Sequence, residues 1–295
     1  MAHAPNPHPP ARRGPFRLLA LDVDGTLLDR EGRLRPSTAA AVARASAAGI
    51  RPVLCTGRRY RRARPVAERL GLDAPLVCNS GAIVKGADGV ETLWRADLDR
   101  PTLDDVLVLF RRAAEPLLAF TDRGPDGPDF LVEQAATGRP LFDDYVSQNA
   151  GHVGLFPGWA DRPGDHADAH FHLCAIGSRE NMLAFELEVL ARVGGRVRTF
   201  VQKSPNYAGT MCEVLRADAG KWAAILHLAE LWGIRPDEVV AVGDDMNDLP
   251  MIVGAGLGVA MGHAPEPVLA AADFVTGNHD EDGVAMLVDR VLLAG

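Results

Sequence analysis

The chain has 295 residues, 47% hydrophobic and 24% charged, values of a globular protein with a sizeable core and length for about two domains. Acidic residues outnumber basic ones, 39 to 31, giving a net charge of -8, which argues against a nucleic-acid binder with its basic face. No stretch approaches the roughly 20 apolar residues of a membrane span; the nearest, 251–262, is rich in glycine.

Residues 1–15, rich in Pro, Ala and His, read as a solvated, disordered tail. Arg12-Arg13 is not read as an export signal, because the apolar run after it is soon stopped by Asp22. Residues 16–23 then predict a buried strand, 36–48 a helix from Pro36 to Gly49, IRPVLCT a second strand, 58–70 a helix disturbed at Pro65, and PLVCN a third strand. This alternation predicts a parallel, doubly wound α/β sheet with helices on both faces. After about residue 85 the rhythm changes. A hairpin turning at Asp88-Gly89, a helix near 101–113, Gly-, Pro- and Asp-rich loops at 121–129 and 156–168, HFHLCAIG, a helix near 179–193, RVRTFV and TMCEVL suggest an α+β insertion. From about 219 the first rhythm returns: a helix ending at Gly233, the strand EVVAVGDD, a short helix, the strand GLGVAM, the helix EPVLAAA, the strand ADFVT and a closing helix. The expected organisation is a Rossmann-like core of residues 16–85 and 206–295, interrupted by a cap domain at 86–205.

Cys55, Cys78, Cys174 and Cys212 form no C-x-x-C pair, and three of them end apolar runs. They read as buried thiols of a reducing, cytoplasmic compartment rather than as a disulfide framework. His170 and His172 share one face of a strand, where packing or solvation is the plainer reading than a metal site.

In an open α/β sheet, chemistry gathers at the carboxyl ends of the strands. Asp22 and Asp24 stand at the first such end, Thr56, Gly57 and Arg58 at the second, Lys221 at a helix start, and Asp244, Asp245, Asn247 and Asp248 after a later strand. Unpaired carboxylates are costly to bury, so two at one strand end call for a cation and a lysine to compensate them. Each has a plainer reading. The aspartates can cap turns, Thr56 can cap the following helix, Lys221 can be solvated, and Asp245 can be a turn residue.

DVDGTLLD, LCTGR, AGKWAAI and VGDDMNDLPMI stand in order on the predicted elements, and together they resemble the four motifs of the haloacid dehalogenase superfamily. The insertion after the second motif, NSGA at 79–82 and DEDGVA at 280–285 resemble its Cof-type subgroup, which carries a type IIB α/β cap there. Ser80 stands where that subgroup has Asn, which counts against a phosphate-site role for Asn79. The resemblance implies a Mg2+-dependent phosphomonoesterase acting on a small phosphorylated metabolite, a sugar phosphate above all. Asp22 would be the nucleophile that forms an aspartyl-phosphate, and Asp24 the acid and then the base. Asp22, the Asp24 carbonyl and Asp244 would hold the metal, and Asp248 a metal-bound water or Lys221. Gly25, Thr26, Thr56, Gly57, Arg58, Lys221 and Asn247 would bind the phosphoryl group. Asp24 also favours phosphoryl transfer over dehalogenation, since halide leaves without a proton. The alternatives are a phosphomutase using the same intermediate and a non-catalytic metabolite-binding protein. Trp159, Arg123, Lys203 and Tyr207 are cap candidates for touching substrate, and the oligomeric state is not legible.

Overall fold

A computed structural model describes residues 15–158, 170–203 and 207–293. The chain divides into two compact units: residues up to Trp94 with those from Gly220 onward, and Arg95–Ala219. The expected tail, most of the 156–168 loop and Trp159 lie outside the described residues.

The first unit is built on five parallel strands, β1 (Leu18–Leu21), β2 (Arg51–Leu54), β12 (Val239–Gly243), β13 (Leu257–Ala260) and β14 (Phe274–Val275), in the order β14-β13-β12-β1-β2. Every residue of β1 is fully buried, which is why LLAL shows no polar alternation: both faces of a central parallel strand are covered. On one face, α6 (Lys221–Leu231) packs Ala224, Ile225 and Leu228 against Leu18, Ala20, Val53 and Ala241. The helix α1 (Pro36–Ala47) opens on its proline, which fixes φ where no N–H partner is needed, and it packs against β2 and the closing helix α9 (Gly283–Leu287). α2 (Tyr60–Arg69) runs through Pro65 as one helix, so the disturbance expected at that proline does not break it. The closing segment is not a plain α-helix: after α9 it continues as a π-helical turn over Val288–Leu292.

The third strand, β3 (Leu76–Cys78), touches β2 through a single parallel bridge, Cys55 to Val77. It also opens a second, three-stranded sheet with β4 (Ile83–Lys85) and β5 (Thr92–Arg95). The hairpin at Asp88-Gly89 therefore belongs to the first unit, because β4 pairs with β3. For the same kind of reason TMCEVL, which is β11 (Thr210–Arg216), belongs to the second unit: it pairs with β10 (Val197–Lys203) and β9 (Leu173–Gly177). The unit boundaries thus fall further along the chain than residues 86 and 205, where the change of rhythm suggests them.

The second unit has a six-stranded sheet ordered β10-β11-β9-β6-β7-β8, with β6 (Leu118–Phe120), β7 (Phe130–Val132) and β8 (Val153–Leu155). Only β7 and β8 run parallel. Two helices, α3 (Arg100–Ala113) and α5 (Arg179–Val193), cover one face; Phe110 and Phe185 meet edge to face at 4.9 Å over Ala119, Leu173 and Val214. His172 is a packing residue: it is buried, stacks on Phe120 at 4.3 Å, and lies 3.8 Å from Glu213 Oε1. Burial pushes its imidazole pKa down to about 3, so the pair is held with a neutral ring. Tyr207, a cap candidate for touching substrate, donates to Asn149 Oδ1 at 3.2 Å within this unit.

Candidate active site

All the core-motif side chains converge within the first unit, at the carboxyl ends of β1, β2 and β12. Asp22 extends the ladder by one bond, its N–H donating to the Val242 carbonyl at 3.0 Å, so its side chain is delivered at the sheet's rim. The chain then turns at Gly25 (φ +84°), where an added Cβ would fall 2.3 Å from Asp244 Oδ2. Only glycine brings this backbone so close to that carboxylate. Gly243 serves likewise, since a Cβ there would lie 2.3 Å from the Asp248 carboxyl carbon.

Lys221 is the first residue of α6, an unfavourable place for a cation by the helix dipole. Its partners explain it: Nζ donates to Asp22 Oδ1 at 2.6 Å, to Asp248 Oδ1 at 2.6 Å and to Asn247 Oδ1 at 3.3 Å. Asp22, Lys221 and Asp248 are only 5%, 2% and 0% exposed. Burial is the largest influence on Asp22 and Asp248 and raises both pKa values against the lowering pull of Lys221. Burial also works against the lysine, but the charges and hydrogen bonds of the two aspartates outweigh it and keep the ammonium strongly protonated. Asp248 spends its other oxygen on the N–H groups of Asp244 (3.0 Å) and Asp245 (3.1 Å), which closes the turn after β12. Asp22 Oδ2, in contrast, has no hydrogen-bond partner among the described residues.

Asp22, Asp244 and Asp248 each offer an oxygen within 4.8 Å of the others. Three carboxylates against one ammonium leave an excess negative charge, and the donors are all hard oxygens, so the set fits a hard divalent cation. With both Asp248 oxygens engaged, Asp22 and Asp244 are the better placed for direct contact.

Other residues have more specific local roles than their motifs suggest. The Thr26 hydroxyl donates to Asp244 Oδ1 at 3.1 Å. The Thr56 hydroxyl accepts the Arg58 N–H at 3.1 Å; the N-cap of α2 is Arg59, so Thr56 does not cap that helix. Gly57 lies between them in the same turn, half-exposed. Arg58 turns to Asp24: its Nε donates to Oδ2 at 2.6 Å and its Nη2 to Oδ1. Asp245 is a turn residue, exposed and accepting from the Met246 N–H at 2.7 Å.

Two further features surround the site. Asn79 and Ser80 have left-handed backbone (φ 51° and 54°), and Gly81 follows at φ +86°. A Cβ on Gly81 would fall 2.1 Å from the Gly220 carbonyl carbon and 2.2 Å from the Lys221 nitrogen. The N–H groups of Asn79 and Ser80 donate to the carbonyls of Arg58 and Thr56 at 3.0 and 3.1 Å. This turn therefore buttresses both the second motif and the start of α6. The second feature is a histidine pair beside the acidic cluster. His263 Nε2 lies 3.6 Å from Asp244 Oδ2, and His279 Nδ1 lies 3.0 Å from His263 Nε2. Asp280, next along, takes Arg30 Nε at 2.6 Å, tying the loop after β1 to the same corner. The Asn-Ser-Gly run is a turn signal legible in the sequence, whereas nothing in the sequence joins the two histidines.

The profile of the haloacid dehalogenase-like hydrolases matches residues 19–288. The chain belongs to this family. Over 285 residues it is 30% identical to YxeH of Bacillus subtilis, covering 95% of this chain and 99% of that one. It is 26% identical over 287 residues to the 5-amino-6-(5-phospho-D-ribitylamino)uracil phosphatase YwtE of the same organism, covering 94% and 98% of the two chains. Among solved structures, a haloacid dehalogenase-like hydrolase from Bacteroides thetaiotaomicron superimposes with a TM-score of 0.74 at 25% identity, over 93% of this chain and 99% of that chain. This member is a phosphatase. Among the described residues no helix is long and apolar enough to cross a membrane.

Proposed function

We propose that this phosphatase is a Mg2+-dependent phosphomonoesterase of a small, polyhydroxylated metabolite, working through an aspartyl-phosphate on Asp22. One observation carries the reading: Asp22 is anchored through Oδ1 by Lys221 and has Oδ2 uncommitted, two residues before a second carboxylate at the Gly25 turn. That is the arrangement an attacking carboxylate needs. Asp22, the Asp24 carbonyl and Asp244 would hold Mg2+, with Asp248 reaching it through water. Bound there, the ion would neutralise phosphate oxygens and relieve repulsion between ester and nucleophile.

Asp22 Oδ2 attacks phosphorus while Lys221 and the Thr56 hydroxyl take phosphoryl oxygens, helped by the N–H groups of the Gly25-Thr26 turn. Asp24 gives a proton to the departing alkoxide, then accepts one from the water that hydrolyses the aspartyl-phosphate. The polyol-like character of the substrate rests on the name of YwtE and on family resemblance. Four free, buried cysteines support a reducing, cytoplasmic setting.

The test is phosphate release from a panel of phosphorylated metabolites, with Asp22→Asn as the blank. Turnover is expected to vanish in that variant and in EDTA, and to return with Mg2+ in the wild type. Activity that survives Asp22→Asn in a folded protein rules the mechanism out.

A further inference from the structure

Arg58 sits beside the phosphate-binding turn, where a phosphate-contacting role is the simplest reading of its charge. The contacts describe a different task. Its Nε and Nη2 fork onto both oxygens of Asp24, with Nε to Oδ2 at 2.6 Å, and the two side chains are 19% and 26% exposed. The guanidinium is itself anchored: Nη1 donates to the Arg62 carbonyl in α2 at 3.4 Å, and the Arg58 N–H is held by Thr56 Oγ1 at 3.1 Å. Asp24, by contrast, follows the end of β1 and precedes the left-handed Gly25. Among the described residues Arg58 is the only side chain that bonds its carboxylate. A planar fork fixes both the position and the plane of a carboxylate, which one ammonium cannot do.

We propose that Arg58 is the positioning residue for Asp24, fixing the carboxyl group that serves the leaving oxygen; this rests on the reading of Asp24 as the acid. In the first step the Asp22 Oδ2–phosphorus bond forms and the ester phosphorus–oxygen bond breaks. The electron pair goes to the leaving oxygen, which takes the Asp24 proton. In the second step water attacks phosphorus, its proton passes to Asp24, and the phosphorus–Asp22 bond breaks with its electron pair returning to Asp22.

The consequence is selective. A leaving group that departs without a proton feels neither residue, whereas a basic one needs both. The test measures kcat/KM for p-nitrophenyl, phenyl and p-methoxyphenyl phosphate in the wild type, Asp24→Asn, Arg58→Gln, Arg58→Lys and the Arg58→Gln/Asp24→Asn double variant. The p-nitrophenyl to p-methoxyphenyl ratio is expected to rise about tenfold or more in Asp24→Asn and in Arg58→Gln. Arg58→Lys should recover part of it, and the double variant should match Asp24→Asn. Equal losses on all three esters in Arg58→Gln, with the ratio still shifted in Asp24→Asn, overturn the positioning role and return Arg58 to phosphate binding or structure. An unchanged ratio in Asp24→Asn overturns the role of Asp24, and the inference about Arg58 with it.

Discussion

Lys221 is the residue on which two buried carboxylates depend. It is the ammonium that contacts both Asp22 and Asp248, and both contacts are buried. Removing one partner of a buried ion pair leaves an uncompensated charge, at a cost of about 3–5 kcal/mol. Lys221→Met is therefore expected to lower the Tm markedly and to abolish turnover. The sign of its pH dependence follows from Asp22 and Asp248, whose folded pKa values burial already raises. Groups with raised carboxyl pKa values contribute stability at low pH and lose it as pH rises through the folded values. Without the lysine that loss steepens, so urea unfolding should find Lys221→Met furthest below wild type at high pH. A constant deficit across pH would show that Lys221 acts through packing alone. Lys221 was legible in the sequence because its motif stands at a helix start that disfavours a cation. The pairing of Arg58 with Asp24 was not, since it joins residues 34 positions apart and no spacing rule connects them.

At the scale of elements, one turn and one strand end carry predictions. The Asn79–Gly81 turn sets where α6 begins, and with it the Lys221 side chain. Gly81→Ala adds a Cβ at φ +86° against the backbone of Gly220 and Lys221, where nothing flexible can yield. The start of α6 must shift, so kcat should fall together with Tm; a variant with wild-type activity would remove the turn from the site's support. In the second unit, His172 is neutral in the fold, with its pKa down at about 3 from an ordinary 6.5. A depressed histidine contributes stability above its unfolded pKa and loses it as pH falls below that value. Between pH 7 and pH 5 the loss is about 2 kcal/mol from this ring alone. His172→Leu, unable to titrate, should lose correspondingly less over the same interval in denaturant unfolding. The long strands and helices were readable because burial on both faces leaves unbroken apolar runs, as in LLAL and VVAVG. By contrast β6, β7, β8 and the helix Pro140–Gln148 were missed: three-residue strands between Gly, Pro and Asp are too short to display any period.

At the scale of the whole molecule, the two units differ in what they respond to. The first holds Asp22, Asp244 and Asp248, and the second holds His172. Each has its own buried cluster, Leu18 to Met251 in one and Leu98 to Val214 in the other, so each can unfold as a unit. A cation that binds only the folded first unit stabilises it by RT ln(1 + [L]/Kd), about 2.7 kcal/mol at a hundredfold excess over Kd. Calorimetry is thus expected to resolve two transitions. Mg2+ should raise one of them and leave the other in place, and Asp244→Asn should weaken that rise. Acidification from pH 7 to pH 5 should lower the other, with His172→Leu blunting the shift. A single transition moved by both metal and acid would mean that the cores unfold together, and the chemistry of each could then no longer be read from its own melting point.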